Sequence, residues 1–427
     1  MMNNQGSLFQ PLSHLQVVYR GWGEEWVLGQ LAESTARGRY LFEYTPEALE
    51  HKIEFSPYKL PLSPVTYSSF EHFQDYIPGF IADSLPDGWG LLLMDKFLRR
   101  HDIEPGHISV FDRLALLGIN TMGALTYEPK HPLPDDGQTE ENIRTLIQLA
   151  QQIHREVDGK DSDALRELIQ LGGSPQGARP KALVEYAPGS GRMATMPFEG
   201  SYSWLMKFPA AGEKPSVCAL EYVYAEIAHR AGIVIPEVHY FNLGSGLAAF
   251  GIQRFDRFNR MRIPVLSMAG ALHADFRQPC MDYTDILRAT AYMTRSVAER
   301  EVQARRMVFN VLMHNRDDHV KNFAFLLNEE KSWVVSPAFD LTFAEGPGGQ
   351  HQTSVAGYGT NITRKLLMKV AAAADIAPVK MRAIIEEVET VAANFYRIAM
   401  QLTDDIPNAE LKRVTDVINN NLVCLGK

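Results

Sequence analysis

Asn315-Arg316-Asp317-Asp318-His319-Val320-Lys321-Asn322 sets an acid five residues ahead of an amide, and a further acid, Asp340, follows a segment patterned like a short hairpin. Phosphoryl transfer uses that order. One carboxylate takes up or orients a substrate hydroxyl, while the amide and the later acid hold magnesium ions that bridge nucleotide phosphates. Phe323 to Leu327 and Trp333 to Val335 read as strands joined through Asn328-Glu329-Glu330-Lys331, which returns the chain to Ser336-Pro337-Ala338-Phe339-Asp340. Upstream, Ser296 with Glu299 makes a capping-box pattern before a long helix whose end, Met307 to Met313, is apolar nearly all round and therefore buried. Singly, an Asp and an Asn in a polar loop read as a turn or a helix cap. Their joint order, after a buried helix and before a hairpin and a second acid, points to chemistry.

The 427 residues are too many for one small core, and 45% apolar with 22% charged residues is the composition of an ordinary globular chain of two or three packed units. With 42 basic against 51 acidic residues the net charge is -9, which excludes a protein that wraps nucleic acid by its overall field. Cys218, Cys280 and Cys424 are odd in number and form no CxxC pair, so neither a disulfide framework nor a zinc cluster is expected, and a reducing cytoplasm fits. Met1 to Pro11 lacks a charged segment followed by an apolar core, and no apolar run reaches the length of a membrane span.

Three units are expected: 1–130, 140–255 and 256–427. The first begins with short strands at Val17-Val18-Tyr19, Trp26-Val27-Leu28 and Tyr40-Leu41-Phe42, and turns mixed at a helix over Gly90 to Arg100. Pro129 to Asn142 has linker composition. Beyond it, Ile143, Leu146, Ile147, Ala150 and Ile153 recur at helical spacing, and a second helix from about Ser162 stops at Gly172. Ala182 to Tyr186 and Trp204 to Phe208 read as strands joined across Pro188-Gly189-Ser190-Gly191, and Val217 to Ala231 as an amphipathic helix closed by Gly232. From Arg364 onward the chain is mostly helical in composition, so the class is α+β.

Lys207 is a charge set in the apolar strand Trp204-Leu205-Met206-Lys207-Phe208, where it needs an anionic partner; Glu221 on the next helix can supply one and aim it at phosphates. Snorkelling from an edge strand is the alternative. Gly172-Gly173-Ser174-Pro175-Gln176-Gly177-Ala178-Arg179-Pro180-Lys181 offers backbone N–H groups to an anion but lacks the Lys-Ser/Thr pair and the following helix of a P-loop, so it reads as a kinase flap or an ordinary glycine turn. Phe250 to Arg257 follows a strand at the place of an adenine hinge. Arg254, Arg257, Arg260 and Arg262 read as a solvated turn, with contact to phosphate or nucleic acid the alternative, and His319 as a brace for the Asp317 loop.

These residues resemble the HipA family, the serine/threonine kinase toxins of bacterial toxin-antitoxin pairs. The likeness runs through Ser-x-x-Gly-Ala-x-x-Lys at 174 to 181, the Lys207 strand, Arg-Phe-Asp-Arg at 254 to 257, Asn-x-Asp-x-His-x-Lys-Asn at 315 to 322 and the Asp340 segment, and Ser84-Leu85-Pro86-Asp87-Gly88-Trp89-Gly90 resembles the family's N-terminal part. The resemblance implies a protein-kinase-like two-lobed fold with an added N-terminal β-rich subdomain and a mostly helical C-terminal lobe. It implies ATP and Mg2+ as cofactors, a cellular protein as substrate, with aminoacyl-tRNA synthetases among known targets, and a helix-turn-helix antitoxin of HipB type as partner, with DNA reached only through it. Carried over, Asp317 is the catalytic acid, Asn322 and Asp340 are metal ligands, Lys207 is the phosphate lysine, and Gly177, Lys181 and the Gln253 to Phe255 hinge contact nucleotide. Ser174 matches the serine that the kinase phosphorylates on itself, a reaction that expels the glycine loop. Two departures stand out: Gln253 where Glu is common, and Arg179-Pro180 in place of Gln-Glu. The other readings are a small-molecule kinase of aminoglycoside or choline type, which usually shows His-Gly-Asp where this chain has Asn315-Arg316-Asp317, and a non-catalytic co-repressor that binds an antitoxin.

Overall fold

Alternating apolar residues near the start build an antiparallel sheet whose inner face carries Leu15, Val17, Leu28, Leu31 and Phe42, all buried. The computed structural model describes residues 11–34, 39–131, 145–157 and 177–426. The expected helix ending at Gly172, the glycine run up to Gln176, and most of the linker lie outside the described residues. Strands β1 (His14–Tyr19), β2 (Trp26–Glu33), β3 (Tyr40–Tyr44), β4 (Thr66–Tyr67) and β5 (Leu125–Glu128) pair in the order β4-β3-β2-β1-β5. Strand β5 was not expected; it returns after two helices, Gly88–Arg100 and Val110–Leu117, to place Leu125 opposite Tyr19.

A second sheet comprises β6 (Lys181–Ala187), β7 (Arg192–Ala194), β8 (Tyr202–Lys207), β9 (Val238–Gly244) and β10 (Leu247–Gln253), in the order β7-β6-β8-β10-β9. Pro188 to Gly191 does not lead straight to β8, as the sequence reading has it. It is a tight turn, with Gly191 at φ 67°, into the extra strand β7. Period-two alternation along β10 serves both faces. Ala249 packs with Leu149 and Ile153 of the helix Leu146–Val157, whereas Phe250 and Ile252 pack with Cys218 and Ala225 of the helix Ser216–Arg230. Trp89, Leu93 and Phe97 of the helix Gly88–Arg100 join the first of these clusters, so the N-terminal unit shares a core with the second sheet.

The remainder is mainly helical. Helix Val297–Leu312 packs against Tyr283–Thr294 and Pro378–Ala392, and Met307, Phe309 and Leu312 are fully buried, as an apolar surface on every side requires. Ser296 caps this helix, but the Glu299 carboxylate accepts from Val335 N at 2.7 Å, so the expected capping box is only half formed. Strands Ala324–Leu327 and Trp333–Val335 form the expected hairpin, with Leu327 opposite Trp333, and four helices fill residues 364–425. Among the described residues no helix is long and apolar enough to cross a membrane, and the three cysteines are free thiols.

Candidate active site

Antiparallel register puts Lys207, the last residue of β8, opposite both Lys181 of β6 and Phe250 of β10. Cross-strand partners share a face, so two ammonium groups lie side by side, and their residues are only 4% and 6% exposed. Buried cations of one sign demand anions. Lys207 Nζ donates to Glu221 and lies 2.6 Å from Asp340 Oδ1. Burial alone would lower the Lys207 pKa, but Asp340 and Glu221 outweigh it and hold the ammonium well above its usual range. Lys181 is less well compensated. Burial dominates, Asp340 opposes it, Lys207 adds repulsion, and the result is a value pulled down to about 8. Asp340, which burial would raise, is held far below the carboxylate range by Lys207 and Lys181. Its backbone is left-handed, φ 57°, a region Asp tolerates better than most residues. Arg179 donates to Glu213 Oε1 at 2.9 and 3.1 Å and sits 3.6 Å from Glu221 Oε2, so one departure of the loop motif braces the acid behind Lys207.

The loop after helix Val297–Leu312 is held from beneath. Asp318, 1% exposed, accepts from Tyr283 Oη at 2.8 Å, His351 Nδ1 at 2.9 Å, Gln352 N at 2.8 Å and Thr353 N at 3.3 Å. Turning Asp318 inward turns its neighbour outward: the Asp317 side chain is 51% exposed. Asp317 Oδ1 accepts from Gln352 Nε2 at 2.8 Å, with His319 Nε2 at 3.9 Å. Partial burial raises the Asp317 carboxyl, His319 opposes, and the nearby Asp340 charge adds to the rise. Asn322 folds back on this turn, its Nδ2 donating to Asp317 O at 2.8 Å and its N–H to His319 O at 2.9 Å. His319 Nδ1 accepts from Lys321 N at 3.2 Å and its ring lies against Phe276, which is a brace within the loop.

Lys207 thus links Glu221 and Asp340 beside Lys181, the Asp340 charge reaches Asp317, and Asn322 is bonded to the Asp317 backbone. Gln253 and Phe255 stand at the end of β10. The N–H groups of Gln253 and Arg254 are committed to Glu237 O at 2.9 Å and Ser203 O at 2.8 Å, and the Phe255 ring packs on Phe339, beside Asp340. Gly177, at φ 109°, lies over Lys181, where an added Cβ would stand 2.3 Å from Nζ. Ser174 lies outside the described residues. Among the described residues no three His, Cys, Asp or Glu side chains gather to hold a metal. Asp340 and Asn322 offer a carboxylate and an amide oxygen, donors of the type magnesium takes together with water and phosphate.

The arginine cluster is not a solvated turn. Arg254 grips the buried Asp256 with two bonds of 2.8 Å, and Arg257 reaches Asp256 Oδ2 at 2.8 Å and Thr121 O at 3.0 Å. Arg262 donates to Ile119 O and Thr121 O at 2.8 Å and to Gly123 O at 3.0 Å, leaving Arg260 as the exposed member. These residues fasten the N-terminal unit rather than meet nucleic acid. Sequence reasoning also missed Asp318, His351, Gln352 and the contacts of Asp87 and Trp89. The one available signal was the Asp317-Asp318 doublet, of which a loop over a buried helix can expose only one.

A model of the HipA-like C-terminal domain matches residues 173–395, just over half of the chain, and a model of the HipA N-terminal domain matches 20–128. The chain belongs to the HipA family. Y4dM of Sinorhizobium fredii, which bears a kinase name, is 26% identical over 289 residues, covering 64% of this chain and 64% of that protein's length. HipA of Shewanella oneidensis, solved with HipB and operator DNA, superposes with a TM-score of 0.70 at 18% identity over 95% of this chain and 96% of that one. The fold is thus the two-lobed, kinase-like HipA fold with its N-terminal addition.

Proposed function

We propose that this HipA-family protein is an ATP- and magnesium-dependent serine/threonine protein kinase. The observation that carries the reading is Lys207, pinned between Glu221 and Asp340 beside Lys181, with the Asp340 charge close enough to act on Asp317. In this reading Lys207 and Lys181 take the α- and β-phosphates, and Asn322 and Asp340 would hold magnesium, which would supply positive charge against that building on the transferred group. Gln253 to Phe255 receive adenine. Asp317 accepts the proton of a substrate hydroxyl as its oxygen bonds to the γ-phosphorus and the bond to the ADP oxygen breaks. The raised carboxyl of Asp317 suits that proton transfer, and the Gln352 bond aims it.

The protein substrate is a cellular protein, with an aminoacyl-tRNA synthetase the first to try. A small helix-turn-helix antitoxin of HipB type is the expected partner, a reading supported by the Shewanella HipA–HipB–DNA assembly. Ser174 is the proposed site of self-modification. Phosphate there adds about two negative charges to the glycine loop and would oppose binding of another polyanion. Purified protein incubated with Mg-ATP and mapped by mass spectrometry is expected to carry phosphate on Ser174, and the Asp317→Ala variant none. Phosphate found only elsewhere removes Ser174 from the account, and no phosphate on any serine or threonine of the chain or of added synthetases argues against the kinase itself.

A further inference from the structure

Asp87 stands at the N-cap of the helix Gly88–Arg100 with an extended backbone, φ -127° and ψ 176°, where an aspartate ordinarily accepts from amides of its own first turn. It makes no such bond. One carboxylate oxygen accepts the N–H of Gly177 and the other lies 3.3 Å from Lys321 Nζ. The Trp89 N–H, a first-turn donor left over by the diverted cap, donates to Gly177 O at 3.1 Å, and the Trp89 indole donates to Lys181 O at 3.1 Å. Between them Gly88, at φ 41°, lets the two backbones touch. An added Cβ there would stand 2.5 Å from Gly177 O and 2.8 Å from Ala178 Cα. Lys321 is itself fixed, its Nζ 3.8 Å from the centre of the Phe276 ring.

All of these contacts fall on the short stretch, Gly177 to Lys181, that carries Lys181 into the cleft, and on the loop that carries Asp317. We infer that Asp87 is a positioning residue: with Gly88 and Trp89 it clamps the Gly177–Lys181 backbone to the Asp317 loop and sets where Lys181 meets nucleotide phosphate. The functional half of this inference rests on the kinase reading, whereas the clamp does not. A carboxylate near phosphate could instead act by repulsion. Local pairing decides against that, because Lys321 and the Gly177 amide both face the carboxylate, whose side chain is only 20% exposed.

Hydrogen exchange of the full chain without nucleotide tests the clamp, and calorimetric titration with Mg-ATP tests its use. Asp87→Ala and Gly88→Ala are expected to speed exchange in the peptide over Gly177 to Lys181 and to weaken Mg-ATP by about tenfold, the worth of one hydrogen bond to a charged group. Asp87→Asn keeps an oxygen for the Gly177 N–H but loses the charge beside Lys321, so it falls between. In the same samples peptides from Pro378–Ala392 are expected to exchange as in the wild type, which shows that the variants fold. Unchanged exchange over Gly177 to Lys181 overturns the clamp. Faster exchange with unaltered nucleotide affinity, or tighter binding by Asp87→Asn, overturns its role in nucleotide positioning. A wild-type chain that binds no Mg-ATP refutes the kinase reading, and the exchange experiment still decides the clamp.

Discussion

Lys181 and Lys207 face each other across neighbouring strands, yet they are compensated unequally. Lys207 has two carboxylates, and Lys181 is left with a value near 8. A bound polyanion favours the charged lysine, so under the proposed kinase reading nucleotide affinity depends on a proton that Lys181 begins to lose as pH rises through about 8. Titrations between about pH 6.5 and 9.5 are expected to show Mg-ATP affinity falling across the upper half of that range, and Lys181→Arg to flatten the profile. Asp317 titrates in the opposite sense. Its carboxyl is already raised by burial, and the Gln352 bond restrains it. Gln352→Leu removes that restraint and is expected to move the acid limb of the kcat/KM profile to higher pH, whereas a purely structural role would lower activity without moving the limb. Asp317→Ala itself is expected to cost about 10²- to 10⁴-fold in kcat, the usual worth of a positioned base.

Between the loop that carries Asp317 and the strand Thr353–Ser354, one buried carboxylate does the joining. Asp318 binds Tyr283, His351 and two backbone amides, so Asp318→Ala strands four donors and is expected to destabilise the chain by about 3 kcal/mol in urea unfolding. Elements whose signals are local were legible in the sequence. The hairpin before Asp340 showed as two apolar runs around a polar turn, the buried helix as an apolar surface on all sides, and Lys207 as a charge inside an apolar strand that Glu221 could answer one helix later. The elements that escaped depend on partners remote in the chain. Strand β5 is four residues long and pairs with β1 across the whole N-terminal unit, and Gln352 sits in a polar segment without period. Arg257 and Arg262 read as solvated in the sequence because the carbonyls that bind them, Ile119 to Gly123, lie far upstream.

At the scale of the whole molecule, the N-terminal unit is fastened to the rest of the chain through buried charge. Asp256, 1% exposed, binds Arg254, Arg257 and the Gly123 N–H, and the two guanidiniums outweigh its burial to hold it well below the usual carboxylate range. Asp256→Ala leaves two partly buried cations without this anion and is expected to cost about 3–5 kcal/mol, with exchange rising first in Ile119 to Gly123, where the N-terminal unit docks. Asp87 and Trp89 extend the same junction to Gly177 and Lys181, which under the proposed kinase reading carry the N-terminal unit to the nucleotide site. The central claim remains that Asp317, Asn322, Asp340 and Lys207 form one phosphotransfer site acting on protein hydroxyls. Quantitative phosphoproteomics of cells expressing the wild-type chain or Asp317→Ala at equal levels tests it most directly. The account predicts serine or threonine sites on a small set of proteins that gain phosphate with the wild type alone; identical phosphoproteomes from the two strains would contradict it.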